Sequence, residues 1–180
     1  MLFVGTLQYL PNVRGLAWFV HEVLPLIRRR LADARLTVIG QTPEVMTGEA
    51  DWSWRGQPGV QFVGAVEDVA PFIRAASITV CPVLEGGGTR IKILESLAFG
   101  RAVVSTSPGA YGMTMSDREG LIRRDGPEAF AEGCIELLSE PRKAHVAALA
   151  GRQFVQQHFH PRVAEQRLRE LVLQTLAEGE

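Results

Sequence analysis

The chain has 180 residues, of which 46% are hydrophobic and 22% are charged, enough for one globular domain with a substantial core. Its 19 basic and 20 acidic residues give a formal net charge of −1, so no overall positive field favours nucleic acid as a partner. No apolar run approaches the length of a membrane span and the N-terminus lacks a signal-peptide layout, which favours a cytoplasmic protein.

Strand-like and helix-like patterns alternate along the first half of the chain. The first predicted strand, at residues 2–4, runs into Gly5 and Thr6. Apolar residues then recur at three- and four-residue spacing over 12–31, which predicts a long helix with Asn12 as its N-cap. The next predicted elements are a strand at 36–40, a variable loop at 41–58, a strand at 60–63 and a helix at 68–76.

The second half continues this alternation and ends in helices. Strands are predicted at 78–83, 101–105 and 120–122, with a helix from about Thr89 to Gly100. From Pro127 the pattern is helical, with breaks near Pro141 and Pro161. The order predicts an α/β fold, a Rossmann-like doubly wound parallel sheet of about six strands with helices on both faces. We expect 1–180 to form a single domain with a helical tail at about 127–180.

Three successive glycines, at 86–88, separate the predicted strand 78–83 from the helix that follows it. Because glycine has no Cβ, the backbone there can approach a ligand closely. The start of the helix adds unpaired N–H groups and the positive end of its dipole, and Arg90 and Lys92 add full charges. Ligands of doubly wound sheets bind beyond the carboxyl ends of the strands. The sequence therefore predicts a phosphate site at this loop.

Structural interpretations of the same residues stay open. The glycines could form only a tight loop, and Arg90 could pair with Glu85 rather than with a ligand. Cations at a helix N-terminus are unfavourable by themselves, so Arg90 and Lys92 there favour a bound anion.

Helical spacing also predicts which side chains share a face of this helix. We expect Lys92, Glu95 and Ser96 to lie on one face, and Ile91, Leu94 and Ala98 to pack on the sheet.

Several segments form an ordered set of motifs along the chain. They are Phe3-Val4-Gly5 with Pro11-Asn12, Leu36-Thr37-Val38-Ile39-Gly40, Val63-Gly64-Ala65-Val66-Glu67-Asp68-Val69, residues 86–105, Pro108-Gly109-Ala110-Tyr111-Gly112 and Gly120-Leu121-Ile122. Together they resemble the C-terminal, nucleotide-sugar-binding domain of GT-B-fold, group 1 family glycosyltransferases. The resemblance covers nearly the whole chain, and its most specific segment is 86–105.

The resemblance implies roles for particular residues. It implies that Glu95 hydrogen-bonds the ribose of the donor. It also implies that the donor diphosphate is bound by Gly87, Gly88, Thr89, Arg90 and Lys92. Further candidate contacts in the donor cleft are Gly5, Thr6, Arg14, Glu85 and Val66. No catalytic residue is assigned, and neither a cofactor nor a metal is expected, because protein cations and a helix terminus stabilise the leaving diphosphate in this family. In agreement, the sequence contains no Asp-x-Asp motif.

Two positions depart from the family pattern. The family places a second glutamate, which contacts the sugar, eight positions before the ribose glutamate, whereas this chain has Gly87 there and Glu85 two residues earlier. Many members also carry an arginine after the first glycine and a Lys-Gly pair further on. Here Thr6 follows the first glycine, and Arg14-Gly15 is the nearest equivalent of the pair.

The resemblance implies the donor-binding half of a glycosyltransferase that moves a sugar from a nucleoside diphosphate sugar to a hydroxyl acceptor, with retention and without metal. We expect the N-terminal acceptor domain to be absent from this chain, which alone would bind donor but transfer poorly. The full-length bacterial enzyme is expected to act in cell-envelope polysaccharide biosynthesis, in the cytoplasm, with peripheral association at the inner face of the membrane.

Two other functions compete with this expectation. A non-catalytic nucleotide-binding or interaction domain is favoured by Gly87 at the glutamate position. A dinucleotide oxidoreductase is disfavoured, because no glycine follows Gly5 until Gly15, whereas its fingerprint needs Gly-x-Gly-x-x-Gly after the first strand.

Overall fold

The computed structural model describes residues 1–44, 50–87 and 90–177. Its six strands, all parallel, form one sheet in the order β3-β2-β1-β4-β5-β6. The strands are β1 (Leu2–Val4), β2 (Leu36–Ile39), β3 (Val60–Gly64), β4 (Thr79–Cys81), β5 (Val103–Ser105) and β6 (Leu121–Arg123). The predicted α/β, Rossmann-like doubly wound sheet of six strands is confirmed.

Helices connect the strands and cover the sheet. They are α1 (Leu10–Trp18), α2 (Leu24–Arg30), α3 (Ala70–Ala75), α4 (Ile91–Ala98), α5 (Pro127–Ser139), α6 (Pro141–His158) and α7 (Pro161–Ala177). Short 3₁₀ turns occur at Ser53–Gly56 and Asp117–Glu119. The predicted helical C-terminal region, with its breaks before Pro141 and Pro161, is confirmed. In the described ranges, no helix is both long enough and apolar enough to cross a membrane.

The long helix predicted after β1 is present but irregular. A π-helical turn, Phe19–Val23, joins α1 to α2 directly before Pro25, a residue that cannot complete a regular helical hydrogen bond. The helix also begins earlier than predicted, with Tyr9 as its N-cap. The prediction of Asn12 as the cap is wrong, because Pro11 favours the first helical positions and so leaves Asn12 inside the first turn.

The face that α4 turns toward the sheet also differs from the predicted one. Ile93 and Leu97, one turn apart, are buried, and Ser96 is buried beside them. Ile91 is 65% exposed, because two residues of helix rotate it about 200° from Ile93, to the opposite side. Ala98 is exposed as well. The expectation that Ile91 and Ala98 pack on the sheet is wrong.

The order of the strands places β1 and β4 side by side at the centre of the sheet. From β1 the chain proceeds outward to β2 and β3, and from β4 it proceeds outward in the other direction to β5 and β6. This reversal opens a crevice beyond the carboxyl ends of β1 and β4, where doubly wound sheets bind their ligands. The segment after Val4 and the described residues that follow Cys81 flank that crevice.

Candidate functional site

Lys92 extends from the first turn of α4 to the segment that follows β1. Its Nζ donates a 2.8 Å hydrogen bond to Oδ1 of Asn12 on α1 and lies 4.3 Å from the centroid of the Phe3 ring. A Cβ atom on Gly5 would lie 2.6 Å from the same Nζ, so glycine is the residue that leaves room for the ammonium. Lys92 therefore links the elements on the two sides of the crevice.

The ammonium of Lys92 is largely removed from water. Desolvation is the main reason that its pKa falls from 10.5 to about 8, and the charge of Arg90 lowers it further while Cys81 opposes the shift. A cation that has lost its hydration interacts more strongly with an incoming anion than a solvated one does. The environment of Lys92 thus suits the binding of a negatively charged group.

Asn12 completes this arrangement on the β1 side. It is only 5% exposed, and its Nδ2 donates a 2.7 Å hydrogen bond to the carbonyl oxygen of Thr6. The sequence did contain a signal for this position, since Pro11 moves the predicted helix start before Asn12. A polar residue in the first turn, close to the end of β1, is placed to contact the crevice.

Arg90 lies directly before α4 and is only 8% exposed. Its Nη2 donates a 2.9 Å hydrogen bond to the carbonyl oxygen of Gly86, while its Nε has no hydrogen-bond partner among the described residues. Helix α4 has no side-chain cap and no acidic residue in its first turn. A buried donor without a partner costs about 1–3 kcal/mol, so a guanidinium placed here favours an anionic ligand.

Two contacts join α1 to the glycine loop. Nη1 of Arg14 donates a 2.5 Å hydrogen bond to Oε1 of Glu85, so Arg14 and not Arg90 is the partner of this carboxylate. Gly86 has a φ of +96°, and a Cβ atom there would collide with the hydroxyl of Tyr9. The positive φ is the main reason that the bend favours glycine at 86, because the Tyr9 hydroxyl is the end of a side chain that can shift. At Gly87, by contrast, a Cβ atom would meet no atom of the described residues within 4 Å.

The remaining predicted site residues are Glu95, Thr6, Val66, Gly88 and Thr89. Glu95 is half-buried in the turn after Lys92, and its carboxylate accepts no hydrogen bond from the described part of the chain. Thr6 is exposed, with its Oγ1 accepting a 3.3 Å hydrogen bond from the Gln8 amide. Val66 follows β3 and packs, partly buried, on a separate apolar cluster. Gly88 and Thr89 lie outside the described residues.

The site is thus a basic crevice built by three predicted residues and one that was not predicted. The structure brings together Gly5, Lys92 and Arg90, with Asn12 added, and it places Arg14 and Glu85 at the rim. Within residues 1–44, 50–87 and 90–177, no group of three or more His, Cys, Asp or Glu side chains is arranged to hold a metal ion. The arrangement can bind an anion and stabilise negative charge that develops on it.

Sequence comparisons point to one protein family. A model of the family described as "Glycosyl transferases group 1" matches residues 1–140. The phosphatidyl-myo-inositol mannosyltransferase of Mycobacterium tuberculosis is 31% identical over 192 aligned positions, which cover 98% of this chain and 47% of that protein. The chain therefore spans about half the length of this curated relative.

Solved structures share the fold. The C-terminal domain of a glycosyl transferase group 1 family protein (LpcC) from Francisella tularensis has a TM-score of 0.69 at 20% identity, with coverage of 89% of this chain and 85% of that domain. Anabaena Alr3699/HepE, solved in complex with UDP and glucose, has a TM-score of 0.73 at 15% identity, with coverage of 94% of this chain and 47% of that protein. At these identities the likeness concerns the fold alone.

Proposed function

This chain belongs to the group 1 glycosyl transferases, and on that premise we propose that it is the donor-binding domain of an enzyme that transfers a sugar from a nucleoside diphosphate sugar to a hydroxyl acceptor. The observation that carries the proposal is the desolvated ammonium of Lys92 at the crevice between β1 and β4. The complex of HepE with UDP and glucose supports a uridine nucleotide as the first donor to test.

The donor diphosphate is assigned to the cations at the start of α4. Arg90 and Lys92 contact its oxygens, together with the loop at 87–89. Glu95, one turn after Lys92, accepts hydrogen bonds from the ribose hydroxyls. Arg14 and the segment at Gly5 and Thr6 line the opposite side of the cleft, where Glu85 and Val66 stay candidate contacts.

The cations of Lys92 and Arg90 can account for donor binding at ~100 μM. A helix terminus contributes only about 0.3–1 kcal/mol to an exposed anion. Two charge-assisted contacts of roughly 1.5–3 kcal/mol each, from Lys92 and Arg90, bring the total near the 5.5 kcal/mol of a ~100 μM ligand. The two cations are therefore the dominant part of the binding free energy.

The same groups supply the electrostatic part of the transfer reaction. As the bond between the sugar and the diphosphate breaks, negative charge grows on the leaving oxygen, and the cations of Lys92 and Arg90 stabilise that charge more than they stabilise the intact donor. In this proposal the sugar is transferred with retention and without a metal. The acceptor site belongs to an N-terminal domain, which would complete the cleft.

The cellular setting of the full-length enzyme is part of the proposal. We propose that the full-length enzyme acts in the bacterial cytoplasm, in the synthesis of cell-envelope polysaccharides, and associates peripherally with the inner face of the membrane. The mannosyltransferase relative, which is named for a phosphatidyl-myo-inositol, supports a role at a lipid surface.

One feature favours a second candidate, a nucleotide-binding domain without transfer activity. Gly87 occupies the position where the family resemblance places a sugar-contacting glutamate, and no described side chain lies within 4 Å of its Cβ position. A domain of this kind would bind UDP and a UDP-sugar with equal affinity, because the sugar would make no contact.

Calorimetric titration of the chain with UDP, GDP, ADP and their glucose or mannose derivatives tests both candidates. We expect one nucleoside diphosphate to bind at about 100 μM or tighter and the corresponding monophosphate to bind at least tenfold more weakly. Absence of binding by all three diphosphates would refute both. Restoring the upstream half and assaying sugar transfer then separates the enzyme from the non-catalytic domain.

A further inference from the structure

Asn12 lies beside the crevice but carries no charge with which to bind a donor. We propose that Asn12 is a positioning residue for the donor diphosphate, because its side-chain amide ties the Lys92 ammonium on α4 to the backbone after β1. This inference rests on the proposed function of the site, and it concerns how the site is held ready before the donor arrives.

The oxygen and the nitrogen of the Asn12 side-chain amide are both hydrogen-bonded, and only one orientation of the amide allows both bonds. Its Oδ1 accepts the hydrogen bond from Nζ of Lys92 at 2.8 Å, and its Nδ2 donates to the carbonyl oxygen of Thr6 at 2.7 Å. A flipped amide would set its NH₂ against the ammonium and its oxygen against the carbonyl, so the two contacts fix each other. At 5% exposure, water cannot readily replace either partner.

The remaining neighbours hold the ammonium from other directions. The Phe3 ring lies 4.3 Å away, at a distance typical of a cation–π contact, and Gly5 leaves room for Nζ by lacking a Cβ. A free lysine side chain would lose rotamer freedom when it bound the diphosphate. Since Asn12 and Phe3 have already restricted Lys92, this loss is smaller and donor affinity is correspondingly higher.

Among the described residues, few charged or titratable groups lie near Lys92, so the effect of Asn12 can be separated from theirs. Cys81 on β4 favours the charged lysine and Arg90 disfavours it, while Asn12 and Phe3, from α1 and β1, are neutral. A hydrogen bond to the charged form of a group favours that form. Loss of the Asn12 acceptor therefore lowers the pKa of Lys92 below its value of about 8.

The chain contains only two lysines, Lys92 and Lys143, which makes a direct titration possible. Lys143 pairs with Glu136 at the surface, and that hydrogen bond raises its pKa, so it serves as an internal control. In the Asn12→Ala variant, ¹³C-lysine NMR should show a lower pKa for Lys92 and an unchanged pKa for Lys143. Calorimetry at pH 7 should show about a tenfold loss of affinity for UDP.

A second variant crowds the ammonium and keeps Asn12 in the sequence, although its new Cβ also lies 3.0 Å from Nδ2 of Asn12. In Gly5→Ala the new Cβ would lie 2.6 Å from Nζ, and the flexible end of Lys92 would move away. Because Gly5 has no positive φ, alanine fits its backbone conformation. We expect a loss of UDP affinity because the ammonium is displaced. If Asn12→Ala does not fold, Asn12→Asp decides the question: its carboxylate keeps an acceptor beside Nζ and should raise the pKa of Lys92, and an unchanged pKa would overturn the contact.

The outcomes distinguish this inference from the proposed function. If the unaltered chain binds no nucleoside diphosphate, the proposed function fails and the donor role of Asn12 fails with it. If the unaltered chain binds UDP while folded Asn12→Ala binds it equally well, only the positioning role is overturned. A loss of affinity with an unchanged pKa of Lys92 would likewise contradict the proposed contact and point to a structural role for Asn12.

Discussion

Arg14 and Glu85 form a 2.5 Å ion pair that joins helix α1 to the loop after β4. Their side chains are 50% and 51% exposed, and ion pairs of that kind contribute only about 0–1 kcal/mol to stability. The ion pair matters more for ligand binding than for stability. It engages the one candidate donor-binding cation on α1, so a diphosphate that reaches Arg14 has to compete with the Glu85 carboxylate.

Replacing Glu85 should strengthen binding of UDP. In Glu85→Gln the competing charge is removed and Arg14 becomes available to the diphosphate, so we expect affinity to rise by up to about fivefold. Isothermal titration calorimetry measures the change, and Glu128→Gln, an exposed glutamate on α5, controls for the altered net charge. A fall in UDP affinity in Glu85→Gln alone would mean that Glu85 itself contacts the nucleotide.

The pH dependence of donor binding should follow Lys92. If the diphosphate binds the protonated lysine, as we propose, affinity for UDP should fall as pH rises through the free-protein pKa of about 8, by up to tenfold per pH unit. Measurements above pH 7 keep the phosphates fully ionised. The Lys92→Ala variant should lack this decline, and an identical decline in both proteins would assign it to another group.

The stability of the free domain should change with pH in the opposite direction. The pKa of Lys92 is about 8 in the folded protein, against the ordinary lysine value of 10.5, so the unfolded chain binds more protons between these values. The free energy of unfolding should therefore rise by up to about 3 kcal/mol over this interval. Urea denaturation of the unaltered chain and of Lys92→Ala, measured across this pH range, isolates this contribution. If the free energies of unfolding of the two proteins change with pH in parallel, Lys92 makes no such contribution.

Glu95 should contribute to binding of the nucleoside and not of the diphosphate. Glu95→Ala would remove the proposed hydrogen bonds from the ribose hydroxyls, so UDP affinity should fall at least about tenfold. Inorganic pyrophosphate, which has no ribose, should bind both proteins equally and is the matched control. An equal loss of affinity for both ligands would indicate that Glu95 acts through the fold of α4.

The close approach of α1 to the end of β4 depends on Gly15. A Cβ atom there would collide with the carbonyl oxygen of Pro82, although alanine is normally preferred to glycine within a helix by about 1 kcal/mol. Gly15→Ala should therefore lower the free energy of unfolding by about 1–3 kcal/mol. Gly56→Ala, where a Cβ meets nothing within 4 Å, is the control, and equal stabilities in urea would contradict the tight contact.

The sequence predicts the fold well because its strands are short apolar runs with clear glycine and proline boundaries. Residues 2–4 and the helical region with breaks before Pro141 and Pro161 were located closely. The buried face of α4 was predicted incorrectly, because both Ile91 and Ile93 are apolar and only the packing of Ile93 against the sheet decides which one is buried.

The candidate site could be predicted only in part, because some of its contacts join residues that are distant in the sequence. Glycines and cations at 86–92 indicate a phosphate site locally, without knowledge of the rest of the chain. The contact between Asn12 and Lys92 joins residues 80 positions apart, and the partner of Glu85 lies 71 positions away. Such pairings depend on how β1 and β4 become neighbours, which a local pattern does not specify.

The most direct test of the central claim is calorimetric titration of UDP and GDP against Lys92→Ala, with Lys143→Ala as the matched control for the loss of a lysine. If the crevice between β1 and β4 binds the donor diphosphate through the Lys92 ammonium, Lys92→Ala weakens binding at least tenfold while Lys143→Ala leaves it unchanged. Unchanged affinity in a folded Lys92→Ala variant would contradict the assignment.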